Sequence, residues 1–134
     1  MSGIEIIELY KIPVRPYGTR YAYMRLYPEQ KKSGYEAVFV ETERFVAIWD
    51  KHFVDVSQPL ATDYKLQSGW TDFYFVKGAD APVPLAEVAH IRDDSLRLNH
   101  GYTRTIWLLV HGAKVFPLAC PLEYVPELQR IAGA

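Results

Sequence analysis

Among 134 residues the chain has a single cysteine, Cys120, so it forms no internal disulfide and lacks the several thiols of a zinc finger. Cys120 is expected at a strand end as a small buried apolar side chain. No stretch approaches the roughly 20 uninterrupted apolar residues of a membrane-spanning helix. The opening MSGIEIIELYK carries Glu5 and Glu8 where a signal peptide needs basic and then apolar residues. A cytoplasmic protein is the expectation. An excess of either charge is lacking as well. A net charge of −1 does not announce a nucleic-acid binder, whose affinity leans on neutralising phosphates. The sequence has no Walker-type Gly-x-x-x-x-Gly-Lys, no Gly-x-Ser-x-Gly, and no internal repeat or low-complexity run. What remains is a length suited to one domain, residues 1–134, with an apolar fraction of 49%, ample for one core.

The charge that is present is uneven. Residues 1–32 hold six basic groups, Lys11, Arg15, Arg20, Arg25, Lys31 and Lys32, against the three acids Glu5, Glu8 and Glu29. Such a spread makes either a basic patch or a solvated face. Ten tyrosines and three tryptophans are a heavy aromatic load and suit an interface with a partner or a homo-oligomer as well as core edges.

Two halves differ in texture. In residues 1–80, Ile4 to Ile12 reads as an edge strand ended by Pro13. Arg20 to Tyr27 alternates Tyr21, Tyr23, Arg25 and Tyr27 against Ala22, Met24 and Leu26, as a half-buried strand does. PEQKKSG then reads as a turn, and Tyr35 to Val40 as a strand pairing back in a hairpin. Thr42 is a candidate N-cap for a short helix to about Lys51 that buries Phe45, Ile48 and Trp49. In residues 81–134 the pattern is cleaner. Pro82 to Val88 is a short apolar run, Ser95 to Leu98 a strand, and Tyr102 to His111 a helix closed by Gly112. Lys114 to Cys120 returns as a strand, and Glu123 to Ile131 forms a last helix ending at Gly133, with Pro126 in its first turn.

The segment LRLNHGYTRTIWLLVHGAKVF places a glycine turn at a helix start. Backbone N–H groups there, with the helix dipole, favour an anion. Gly101 lets a ligand approach the backbone, Arg104 offers a planar charged fork, and Thr103 or Thr105 can add a hydroxyl. The same residues also suit an ordinary helix start, with Arg104 paired to Asp93 or Asp94. His90, Asp93, Asp94 and His100 include metal-ligating types, but their spacing fits no standard metal motif, and polar loop residues are the plainer reading. Asp93 or Asp94 beside a bound nucleotide could hold magnesium. Asp63 and Lys65 share a strand face and make a pocket edge or a surface ion pair. Trp70, Phe73, Tyr74 and Phe75 suit either base stacking or packing.

The string PVPLAEV, a short strand into the Gly-x-x-Arg turn, RTIWLLVHGAKVFPLAC and a closing helix resemble the ParB/sulfiredoxin-like fold. This implies an α/β (α+β) domain with a mixed sheet and about three main helices, in which nucleotide phosphates sit against the Gly-x-x-Arg loop. More narrowly, APVPLAEV, HGYTRTIWLLVHGAKVFPLAC and LQRIAG are similar to the plasmid fertility inhibition factors, small proteins of that fold that block conjugative transfer of another plasmid. FVAIWD and ATDYK are similar to that family's Trp-containing helix and Asp-x-Lys stretch. The resemblance implies a phosphate site at His100, Gly101, Tyr102, Thr103, Arg104 and Thr105, ATP or another nucleotide with magnesium as cofactor, and ATP-linked DNase activity. The implied partners are DNA and a transfer-machinery component such as the coupling protein or relaxase. Tyr102 stands where sulfiredoxin needs its catalytic cysteine, which excludes sulfinic-acid reduction. Thr103 and His100 replace residues typical of related loops and favour binding over chemistry. A non-enzymatic interaction or immunity-type protein of a mobile element is the alternative.

Overall fold

The computed structural model describes residues 9–14, 20–50 and 78–134. Strand β1 (Leu9–Val14) pairs antiparallel with β2 (Arg20–Arg25), and β2 pairs in parallel with the short β4 (Val83–Pro84). The second sheet has the order β3-β7-β5-β6, from β3 (Tyr35–Glu41), β7 (Val115–Pro121), β5 (Glu87–Arg92) and β6 (Ser95–His100). Four α-helices accompany the sheets among the described residues: α1 (Pro28–Lys32), α2 (Thr42–Ile48), α3 (Tyr102–Val110) and α4 (Val125–Ala132). The architecture is therefore mixed α+β, with two mixed sheets.

Period-two alternation in β2 is realised as read: Ala22, Met24 and Leu26 are buried while Tyr21 is exposed. Pro13 does not end β1, which runs through it to Val14 with Pro13 opposite Tyr21. Within its sheet β1 has a neighbour only on the β2 side among the described residues, and an edge tolerates a proline's missing N–H.

PEQKKSG is not a turn. Pro28 at the start, Glu29 in the first turn and Gln30 reaching back to the N-cap open helix α1; the Tyr27 N–H donates to Gln30 Oε1 at 3.1 Å. That helix redirects the chain, so β3 does not pair with β2. It instead runs antiparallel to β7, from Tyr35 opposite Pro121 to Glu41 opposite Val115. Central strand β7 is buried from Phe116 through Cys120, as expected of a strand covered on both faces. Phe45 of α2 packs edge-on against Phe116 at 5.3 Å and, at a tilt, against Trp49 at 5.1 Å. Burying a ring of that size contributes about 2–3 kcal/mol. Thr42 is the first residue of α2 rather than its cap, and its hydroxyl donates to the Ala113 carbonyl at 2.5 Å.

Helix α3 ends as expected. Gly112, with φ 74°, sits one residue past the C-cap His111; its N–H donates to Leu109 O, and the Ala113 N–H donates to Leu108 O. This crossed pair of bonds is the Schellman closure, and its left-handed residue favours glycine. His111 stacks on Trp107 at 3.9 Å. In the last segment a 3₁₀ turn, Leu122–Tyr124, precedes α4, which carries proline in its first turn and buries Leu128 and Ala132.

Candidate functional site

Gly101 joins β6 to α3 in the left-handed conformation, φ 89° and ψ 21°. A Cβ added there would lie 2.6 Å from Ala86 Cβ and 2.7 Å from Ala86 Cα. The missing side chain thus admits the chain before β5, not a ligand, against the turn. Thr105 is fully buried, and its hydroxyl donates to Gly101 O at 2.8 Å, so it closes the turn instead of facing a bound anion. Gly101, the N-cap of α3, offers no capping side chain and no acid lies in the first turn, so the helix supplies no carboxylate of its own to the positive end of its dipole.

Arg104 pairs with neither aspartate that the sequence offered it. Its Nη1 donates to Pro84 O at 2.8 Å and more distantly to Leu85 O at 3.5 Å, tying α3 to the link between β4 and β5. Asp94 meets Arg130 at 3.3 Å, an exposed pair of small energetic weight. Asp93 and Asp94, with φ 51° and 56°, form the two-residue turn between β5 and β6. Strand β6 separates that turn from Gly101 by roughly 20 Å at the rise of an extended chain. The structure does not bring the two aspartates to the glycine turn. Among the described residues no group of three or more His, Cys, Asp or Glu side chains converges as a metal site would.

A cleft of about 440 Å³ opens between the start of α1, the link from β4 to β5 and the glycine turn. His100, Gly101 and Arg104 line it, together with Tyr27, Glu29, Gln30 and Glu87, none of which sequence reasoning had selected. Glu87 stands opposite His100 across β5 and β6, and the register slips just beyond this pair. Such irregularities re-aim side chains at strand ends. Gln30 is buried and donates through Nε2 to Leu85 O and to Glu87 Oε2, both at 3.0 Å. The Tyr27 hydroxyl donates to Pro82 O at 2.6 Å. Two carboxylates therefore share the cleft with Arg104 and His100. The signal that could have found Gln30 was the helix-opening pattern of Pro28 followed by Gln30.

Cys120 is buried in β7 opposite Glu36. Burial, with the Glu36 charge adding to it, pushes its thiol up to about 12, so it is a packing residue and no nucleophile at neutral pH. Tyr102 begins α3, and Thr103 is half-buried beside it. Lys51, Asp63, Lys65, Trp70, Phe73, Tyr74 and Phe75 lie outside the described residues. No described helix is long and apolar enough to cross a membrane.

The fold superposes on the crystal structure of oncogenic suppression activity protein, a plasmid fertility inhibition factor, in its gold(I) cyanide derivative. The TM-score is 0.73 at 24% sequence identity, over 99% of this chain and 78% of that one. No curated protein matches. Residues 37–133, spanning β3 through α4 and the whole glycine turn, match the family model of the plasmid fertility inhibition factors. The chain belongs to the plasmid fertility inhibition factor family.

Proposed function

We propose that this protein blocks conjugative DNA transfer and that its cleft takes a phosphate-bearing ligand, a nucleotide, at the Gly101–Arg104 corner. The observation that carries the reading is the start of α3, with no capping side chain of its own, opening into a cleft that Arg104 helps to line. Backbone dipoles and a planar cation together are what a phosphate oxygen needs. The reading places residues 1–134 in one ParB/sulfiredoxin-like domain of the cytoplasm, acting on the coupling protein or relaxase of the transfer machinery, with magnesium accompanying the nucleotide. An ATP-linked DNase would draw its acid and base groups from Glu29, Glu87 and His100, the carboxylates and imidazole that line the cleft.

A second reading has its own support. Arg104 already donates to Pro84, and Gly101 already accommodates Ala86, so both residues have architectural reasons to be there. On that reading the protein inhibits transfer by surface contact alone. The discriminating experiment measures ATP and tripolyphosphate binding at fixed salt, and transfer frequency of a target plasmid, for wild type and Arg104→Ala. Lost binding together with lost inhibition supports the nucleotide reading. Inhibition retained by a folded Arg104→Ala protein, with the coupling protein or relaxase still captured in a pull-down, supports surface contact.

A further inference from the structure

The cleft holds a polar element that the glycine turn does not explain. Gln30 is buried, and its amide has one possible orientation: Oε1 accepts from the Tyr27 N–H, so Nε2 is the end that donates to Leu85 O and Glu87 Oε2. One amide N–H thus holds Glu87 Oε2 at the cleft wall, leaving Glu87 Oε1 to accept from a ligand. Opposite Glu87 stands His100, adjacent to Gly101, which puts the carboxylate in the same cleft as the Gly101–Arg104 corner.

A positioned carboxylate repels a bare phosphate that fills such a cleft. It favours a ligand that carries hydroxyl donors some distance from its phosphate, because an ionised carboxylate is acceptor-only. Ribose hydroxyls are such donors, and an acid on the ribose is how dinucleotide-binding folds hold the sugar. Tyr27 and Pro84 supply flat and apolar wall for a base. We infer that Glu87, held by Gln30, reads the ribose hydroxyls of a ribonucleotide whose phosphates lie at Gly101–Arg104, so the cleft selects free ribonucleotides over their deoxy forms. The inference rests on the phosphate reading above and adds a specificity residue to it.

The test is calorimetric titration of ATP, 2′,3′-dideoxy-ATP and tripolyphosphate at fixed salt and magnesium, with wild type, Glu87→Ala and Arg104→Ala checked for folding. Wild type is expected to bind ATP at least about tenfold more tightly than the dideoxy form, the worth of a hydrogen bond to a charged group. Glu87→Ala is expected to bind both nucleotides at the weaker affinity. Equal wild-type binding of all three probes overturns the inference and leaves the phosphate reading standing. A sugar preference that persists in Glu87→Ala overturns the assignment to Glu87. No binding of any probe, or binding that Arg104→Ala leaves unchanged, brings down the phosphate reading and the inference with it.

Discussion

Ala86 occupies the space that a side chain on Gly101 would need, with its Cβ 2.6 Å from the place where a Gly101 Cβ would stand. Ala86 is itself buried, and its carbonyl accepts the Ala119 N–H of the central strand at 2.8 Å, so it cannot retreat cheaply. A left-handed residue other than glycine costs about 1–2 kcal/mol, and forcing an extra methyl into packed surroundings about 1–3 more. Gly101→Ala is therefore expected to destabilise the protein by about 3 kcal/mol, measured by urea denaturation without any ligand. A loss under about 1 kcal/mol would show that the link from β4 to β5 can yield to the turn.

Gln30 has the same character in polar form. Its side chain satisfies the Tyr27 N–H, the Leu85 carbonyl and the Glu87 carboxylate from one buried position. Gln30→Met keeps the volume and removes all three bonds, leaving the Tyr27 N–H without this acceptor and the Leu85 carbonyl with only its longer contact to Arg104, at a cost of about 2 kcal/mol. Gln30→Glu is expected to be worse at pH 7, since it replaces two donors by none and sets one carboxylate against another. Chemical denaturation of the two variants side by side checks the order. If the Glu variant proves the more stable, the amide orientation assigned to Gln30 is wrong.

Such contacts explain where the sequence was legible. The Ala22, Met24 and Leu26 alternation announced β2 because one face of that strand is buried. Gly112 announced the end of α3 because a left-handed closure leaves a residue-specific mark. The family signal in residues 81–133 led to the glycine turn for a similar reason: the motif is local. Pairing is not local. Nothing in Tyr35 to Glu41 names β7 as its partner, and an apparent hairpin with β2 was the shortest closure until α1 intervened. The same holds for the site. Arg104 reaches a backbone carbonyl, which has no residue-type signature, and Glu87 matters only through the Gln30 amide that holds it.

Arg44 reaches the end of α4 with both guanidinium nitrogens, Nη1 to Gly133 O and Nη2 to Arg130 O, each at 2.7 Å. Carbonyls at a helix C-terminus lack intrahelical partners and carry the negative end of the dipole, so a planar cation suits them. Beside this clamp the chain bridges β3, with Val40 opposite Gly133 and the Ala134 N–H donating to Phe39 O at 3.1 Å. Arg44 is exposed, which limits its worth. Arg44→Ala is expected to cost about 1 kcal/mol, and Arg44→Lys about half of that, because a point charge cannot serve both carbonyls. The local readout is amide exchange at Ala134, expected to speed up more in the Ala variant than in the Lys variant. Unchanged exchange in both would mean that the bridge to β3 holds this end unaided.

Cys120 gives the protein a pH dependence of known sign. Its thiol is raised from an ordinary 9.0 to about 12 by burial, with the Glu36 charge adding to it, so the folded state retains a proton that the unfolded chain releases earlier. Between those values the unfolded state binds fewer protons than the folded one, and stability falls as pH rises. The contribution is therefore fully present below about 9 and is lost progressively toward 12. Cys120→Ala removes the titrating group, so its urea midpoint should fall less than that of wild type over this window, from a lower starting value because a small cavity replaces the sulfur. Labelling gives an independent check. At pH 8 a thiol reagent should modify Cys120 only as fast as the protein opens, and fully in urea. Rapid labelling of the folded protein would place Cys120 at an accessible strand end and remove both the burial argument and the pH dependence derived from it.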